Sequence, residues 1–433
     1  MAARALPQRL QQTSKTLACL IAISTSSAAC QLAETATEVE TNLSTDEAVY
    51  LQRYEALAAR RVAGVGLAGY DPLETVAGAE PTQDLPRTDA AARTLAPATW
   101  KTIEAYAGER NSSALIVWRR GAIEYERYYG DTTRESLLVS RSLAKPLATI
   151  AIGRALQLGH IDNLSQPVAD FITEWQGTPK AAIELRHLLQ MRSGLLPQGR
   201  ASGPDDVLNR AYLHPRHGEV IINEYPLVDP PGSRYEYANA NTELVAVIIE
   251  RATGVRYGDW LTQQVLIPLG AAGGEIWVNR PGGLGHAGCC ILLPAETYLR
   301  LGILLLNNGR YGNHQLLDEA FVQAMKTPAP QNPHAGMGLY VAGEYVAARG
   351  AANPDRGVGL TQHSEPYRAA DLFLFDGNGH QVLYMVPSDD LIVMRLGARP
   401  PAELPWDNSL LPNRVIEGIA RAPGEEAPIP QAP

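Results

Sequence analysis

"SRSLAKPLATIAIGRALQLG", residues 140–159, decides how this chain is read. Its apolar residues recur at helical spacing as far as Gly159, which predicts a helix opening at Ser142. Pro146 stands in the first turn, where a missing N–H is tolerated. A hydroxyl at that end sits among unpaired N–H groups, at the positive end of the helix dipole. Lys145 follows one turn later on the same face. The choice of lysine is informative. Of 37 basic residues only Lys15, Lys101, Lys145, Lys180 and Lys326 are lysine, and Ser142–Lys145 is the chain's only Ser-x-x-Lys pair. A guanidinium stays charged, whereas a buried lysine can release its proton and serve as a base toward the serine. Taken alone, the same residues also read as a serine N-cap followed by an ordinary surface lysine.

Working outward, "ATWKTIEAYAGERN" reads as a helix and "SALIVWRR-GA-IEYERYYG" as two strands joined by a tight turn. The stretch from about 160 to 268 is helical in pattern almost throughout. Three strand-like runs come late, "DLFLFDG", "QVLYMVP" and "LIVMRLG", before a last helix near 407–421. Strands at both ends with helices between predict an α/β (α+β) chain. Its antiparallel sheet is assembled from distant segments and carries an inserted helical subdomain.

From about Ser112 to Gly397 the chain resembles the β-lactamase-related serine hydrolases of the class C type. That group includes class C β-lactamases, D-alanyl-D-alanine carboxypeptidases, family VIII esterases and 6-aminohexanoate-dimer hydrolases. "VSRSLAKPLATIAIGRALQLGHIDNLSQPVADFI" resembles the nucleophile helix and its sequel, and "LRHLLQMRSGL" lies closest to the 6-aminohexanoate-dimer hydrolase branch. "PPGSRYEYANANTELVAVIIERATG" matches the Tyr-x-Asn motif with Tyr237 and Asn239; the resemblance alone selects Tyr237 over Tyr235. It implies a β-lactamase/transpeptidase-like fold, with Ser142 as nucleophile and Lys145 and Tyr237 moving protons. A phenol beside a lysine ammonium is expected to have its pKa lowered. The third motif departs from the family. "GNGHQVLYMVP" puts Asn378 where lysine or histidine is usual and His380 where glycine is usual. The resemblance implies that the backbone N–H groups of Ser142 and Gln381 form the oxyanion hole. Asn239, Asn378 and His380 are expected along the substrate cleft, with His380 either turned away or narrowing it.

Other signals bound the function. A net charge of −9 and a pI near 5.6 argue against nucleic acid as a partner. "GVGLAG" at 64–69 and "GLGHAG" at 283–288 match a dinucleotide fingerprint in spacing but lack the strand before or the helix after. No G-x-S-x-G elbow and no metal-ligand spacing occurs, "HPRH" at 214–217 is too isolated to make a site, and no cofactor is expected. Arg4, Arg9 and Lys15 precede a short apolar run ending in "SAAC", so residues 1–30 read as a secretory signal. The ending resembles a bacterial lipobox, which implies lipid on Cys30 and a periplasmic, outer-membrane-attached enzyme; an ordinary signal cleaved near Ala29 is the alternative. Residues 31–96 read as an arm or linker, and 97–425 as the hydrolase domain. Adjacent Cys289 and Cys290 are expected as a small buried pair rather than a framework disulfide, with their oxidation state left open.

The expected activity is an exported serine hydrolase acting through an acyl-enzyme on a small ester or amide. Because the Lys/His anchor is missing, esterase or amidase is preferred over β-lactamase or carboxypeptidase. A non-catalytic envelope binding protein on the same fold is the alternative of another class. No oligomeric state is implied.

Overall fold

The computed structural model describes residues 45–60, 69–350, 352–354 and 359–432. The chain divides into a small unit, Met1–Leu67 with Leu213–Pro215, and a large one holding the rest. In the small unit residues 45–60 form a helix. Its Arg53 donates to the Leu213 carbonyl at 3.0 Å, and its Tyr50 ring lies 5.8 Å from that of His214. Cys30, Cys19 and the apolar run before them lie outside the described residues. Among those described, no helix is long and apolar enough to cross a membrane.

The large unit is built on a six-stranded antiparallel sheet. In spatial order its strands are Ala122–Tyr128, Ser112–Arg119, Leu391–Gly397, Gln381–Val386, Phe373–Gly377 and Tyr340–Val341. The first two form the expected hairpin, turning through Arg120 and Gly121 at φ 49° and 92°. The three late runs supply the middle of the sheet. Ser112–Arg119 pairs with Leu391–Gly397, so chain segments far apart in sequence meet in one register, Val117 opposite Val393.

Because side chains alternate along a strand, each buried strand feeds two cores. Ile116, Trp118, Leu383, Met385, Ile392 and Met394 join one cluster with the helices Ala144–Gln157 and Ala295–Leu306. Leu115, Val117, Val382, Tyr384 and Val393 join the other with Pro97–Gly108 and Leu410–Gly418. A Cβ on Gly302 would lie 2.7 Å from Leu383 Cδ2, so glycine lets Ala295–Leu306 approach the sheet closely. This is the antiparallel, helix-flanked fold the sequence predicts.

Between the helix that follows Ser142 and the strand Gly274–Trp277, the elements are helices and 3₁₀ turns. Among them are Leu185–Leu189, His217–Asn223 and Asn239–Thr253. A second, four-stranded sheet runs Leu73–Val76, Gly274–Trp277, Ile291–Leu293, Leu138–Val139. Leu73–Val76 therefore contributes a strand, although it falls within the stretch read as an arm. Its Leu-Glu-Thr-Val run is too short to signal without its partners.

Candidate active site

Ser142 lies in a 3₁₀ turn, Arg141–Leu143, that runs directly into the helix Ala144–Gln157. Arg141 has φ 49°, a left-handed conformation uncommon for a residue with a Cβ, and its guanidinium donates to Tyr70 Oη at 2.6 Å. The helix is buried along most of its length, and Lys145 is buried with it, 4 % exposed. The surface-lysine alternative is thereby excluded.

Lys145 Nζ meets three acceptors: Gly288 O at 2.7 Å, Asn239 Oδ1 at 2.9 Å and Ser142 Oγ at 3.3 Å. Burial lowers its pKa to about 7, against a smaller raising influence from Glu243. Near neutrality the amine is thus available as a base. Tyr237 Oη lies 2.8 Å from Ser142 Oγ, and the lysine ammonium stands 4.9 Å from the centre of the phenol ring. The pKa of that phenol, expected to be lowered, is instead raised, because burial outweighs its bond to Ser142. Lysine, not tyrosine, is the group brought near neutrality. Tyr235 shares the small cavity beside Ser142 without this contact to Oγ; Met191, Leu339, Tyr340 and Asp376 also line it.

Asn239 opens the helix Asn239–Thr253 and bonds to the lysine rather than lining that cavity. At the sheet edge, a Cβ on Gly377 would lie 3.1 Å from the Ser142 nitrogen, so the end of Phe373–Gly377 abuts the Ser142 amide. Gly377 pairs with Gln381 across a turn of Asn378, Gly379 and His380. The Gln381 side chain turns to Gly397, whose amide donates to its Oε1 at 2.9 Å. Asn378 is exposed, and its Oδ1 accepts from Arg399 at 2.5 Å. His380 sits at φ 60°, and its ring lies against Trp406, centroids 6.0 Å apart. Neither Asn378 nor His380 is among the residues lining the small cavity beside Ser142.

Two features escaped the sequence reading. Cys289 and Cys290, whose oxidation state the sequence leaves open, form a disulfide immediately after the glycine that holds Lys145. His217, set aside in "HPRH", meets Glu243 and His286, all three buried. These residues come from separate segments, and no local spacing announces their meeting.

Residues 99–407 match the family model described as Beta-lactamase. The chain belongs to the beta-lactamase family. It is 21 % identical to the 6-aminohexanoate-dimer hydrolase of Paenarthrobacter ureafaciens, over 79 % of this chain and 86 % of that protein. A Bacillus anthracis protein proposed to be a 6-aminohexanoate-dimer hydrolase superposes with a TM-score of 0.60 at 18 % identity, covering 77 % of this chain and 88 % of that one. A penicillin-binding protein homologue from Caulobacter crescentus gives 0.54 at 16 %, covering 78 % and 99 %. Both structures share the beta-lactamase fold. This family member is thus of a beta-lactamase-fold serine hydrolase family.

Proposed function

We propose that this beta-lactamase family member is an exported hydrolase acting on small esters or amides through an acyl-enzyme on Ser142. The observation that carries the reading is the convergence of Lys145 Nζ and Tyr237 Oη on Ser142 Oγ, at 3.3 and 2.8 Å. Neutral Lys145 draws the serine proton, directly or through the Tyr237 hydroxyl, as Oγ attacks the carbonyl carbon. Tyr237 passes a proton to the leaving alkoxide or amine and takes in its place the proton that Lys145 drew from Ser142, which returns both groups to their starting forms. Water then attacks the acyl-enzyme with the same groups acting in reverse. The Ser142 amide and the hairpin from Gly377 to Gln381 lie beside the position of the developing oxyanion, with the Gln381 N–H as the second donor.

The likeness to a 6-aminohexanoate-dimer hydrolase and the absence of lysine or histidine at Asn378 favour linear esters and amides. One observation favours a second reading, a β-lactam or D-alanyl-D-alanine substrate. Arg399 brings a guanidinium to Asn378, where a substrate carboxylate could pair with it. A panel of p-nitrophenyl esters, linear amide dimers, nitrocefin and D-Ala-D-Ala peptides separates the two. Ser142→Ala should abolish turnover and labelling by a fluorophosphonate while the fold survives. A folded wild-type protein that neither labels nor turns over any of these would return the chain to the binding-protein reading.

A further inference from the structure

Glu243 lies behind the lysine, one helical turn after Asn239, and is 3 % exposed. Its Oε2 accepts the Ala287 N–H at 3.0 Å and its Oε1 the Gly288 N–H at 3.3 Å. The carbonyl of that same Gly288 holds Lys145 Nζ at 2.7 Å. A Cβ on Gly288 would come within 2.8 Å of Glu243 Oε1, so the turn is seated closely on the carboxylate. Two imidazoles flank the acid: His217 Nε2 stands 3.5 Å and His286 Nδ1 3.6 Å from Glu243 Oε2.

Three such donors within 4.8 Å of one another raise the question of a metal ion. The rings answer it. His217 and His286 are stacked, centroids 4.0 Å apart and planes within 14°, and Trp277 stacks on the far face of His286 at 3.9 Å. A zinc ion binds in the plane of each imidazole, about 2.0–2.1 Å from nitrogen, and two parallel planes a ring thickness apart cannot share one. The cluster is therefore a buried carboxylate with two imidazoles as electrostatic partners. Burial is the largest influence on Glu243 and would raise its pKa. His286 and His217 together outweigh it and hold the acid ionised.

We propose that Glu243 is the positioning residue for Lys145. Through the Ala287–Gly288 turn its carboxylate fixes the carbonyl that aims the amine at Ser142, with a buried negative charge held behind that turn. The inference rests on the serine-hydrolase reading. Burial lowers the Lys145 pKa, and Glu243 is the group that opposes the fall. The other titratable groups around the lysine are Ser142 on its own turn, Tyr235 and Tyr237, Tyr340, Asp376 on the sheet edge, and His286 with His217 beyond Glu243. Glu243 is the carboxylate bonded into the turn that holds the amine.

The test compares wild type, Glu243→Gln and Glu243→Asp by p-nitrophenyl butyrate hydrolysis and fluorophosphonate labelling across the pH range. In Glu243→Gln an amide NH₂ must face one of the two backbone N–H groups, and the charge is gone. The expected result is at least a tenfold loss of kcat with KM little changed, and an acid limb displaced to lower pH. Glu243→Asp keeps the charge and should leave the limb in place at an intermediate rate, which a merely structural role does not predict. An acid limb that coincides in wild type and Glu243→Gln overturns the proposal. If Glu243→Gln does not fold, Gly288→Ala displaces the same carbonyl, and a wild-type rate there is equally fatal. Zinc should leave the melting temperature unchanged. Saturable stabilisation of wild type, absent in Glu243→Asp, would replace the proposal with a metal site. Failure of wild type to label defeats the hydrolase reading itself; labelling with an unmoved limb defeats only the role of Glu243.

Discussion

The Lys145 ammonium donates to Gly288 O at 2.7 Å and so depends on a backbone carbonyl, not a carboxylate, for its shortest contact. A carboxylate in direct contact would hold the proton on the lysine. A carbonyl orients the amine while leaving burial free to lower its pKa to about 7.

The rate of serine acylation should therefore rise through a limb near pH 7, as Lys145 loses its proton, and level off above it. The sign follows from the direction of the shift: the active form is the neutral amine, populated above the lowered pKa. Lys145→Arg keeps a cation that cannot deprotonate, and should lose about 10²–10⁴-fold in kcat. Pre-steady-state acylation by a p-nitrophenyl ester measures both, and near-normal Lys145→Arg activity would refute the base.

Tyr237→Phe removes the hydroxyl 2.8 Å from Ser142 while leaving the ring beside Lys145. A fall in kcat of about 10²-fold with little change in KM is expected, at the lower end of general acid–base effects. Because burial raises the pKa of the phenol, the wild-type profile should stay level between about pH 8 and pH 10. A descending limb in that range, lost in Tyr237→Phe, would instead show the phenol ionising in the working enzyme.

What the sequence reveals here follows from range. Ser142 and Lys145 are three residues apart on one helix face, so their relation is local. The short, nearly continuous apolar runs at 112–119, 373–377, 381–386 and 391–397 mark strands buried on both faces, and the sheet follows from them. Tyr237 needed the family resemblance, because a tyrosine ahead of a helix has no local mark of catalysis. His217, Glu243 and His286 come together only through the packing of three segments. The Cys289–Cys290 bond and the turn of His380 toward Trp406 likewise depend on backbone conformation that a residue string does not specify.

Export is tested at the N-terminus. Cys30 is expected to be the first residue of the mature chain, carrying lipid and partitioning into detergent with the outer-membrane fraction. Gln31 after it is not the aspartate that signals inner-membrane retention in the bacterial sorting pattern this segment resembles. Intact-mass analysis of the native protein decides it. An unmodified N-terminus at Gln31 or nearby would leave a soluble exported enzyme.

His380 occupies a left-handed turn position, φ 60°, of the kind glycine fills without strain. Relaxing it in His380→Gly should gain about 1 kcal/mol, and losing the ring contact with Trp406 should cost about 0.5–1.5 kcal/mol. The two nearly cancel, so the melting temperature should move by no more than a few degrees. The ring faces Trp406 and is not among the residues lining the cavity beside Ser142. The ratio of nitrocefin to p-nitrophenyl butyrate turnover should accordingly stay at its wild-type value. Burial lowers the pKa of this imidazole below the ordinary histidine range, so it stays neutral where the lysine titrates. The acid limb near pH 7 should then survive in His380→Gly unchanged, which separates Lys145 from a histidine as its source. A limb that vanishes in this variant, or lactam turnover that rises against ester turnover, would put the imidazole in the cleft during the reaction.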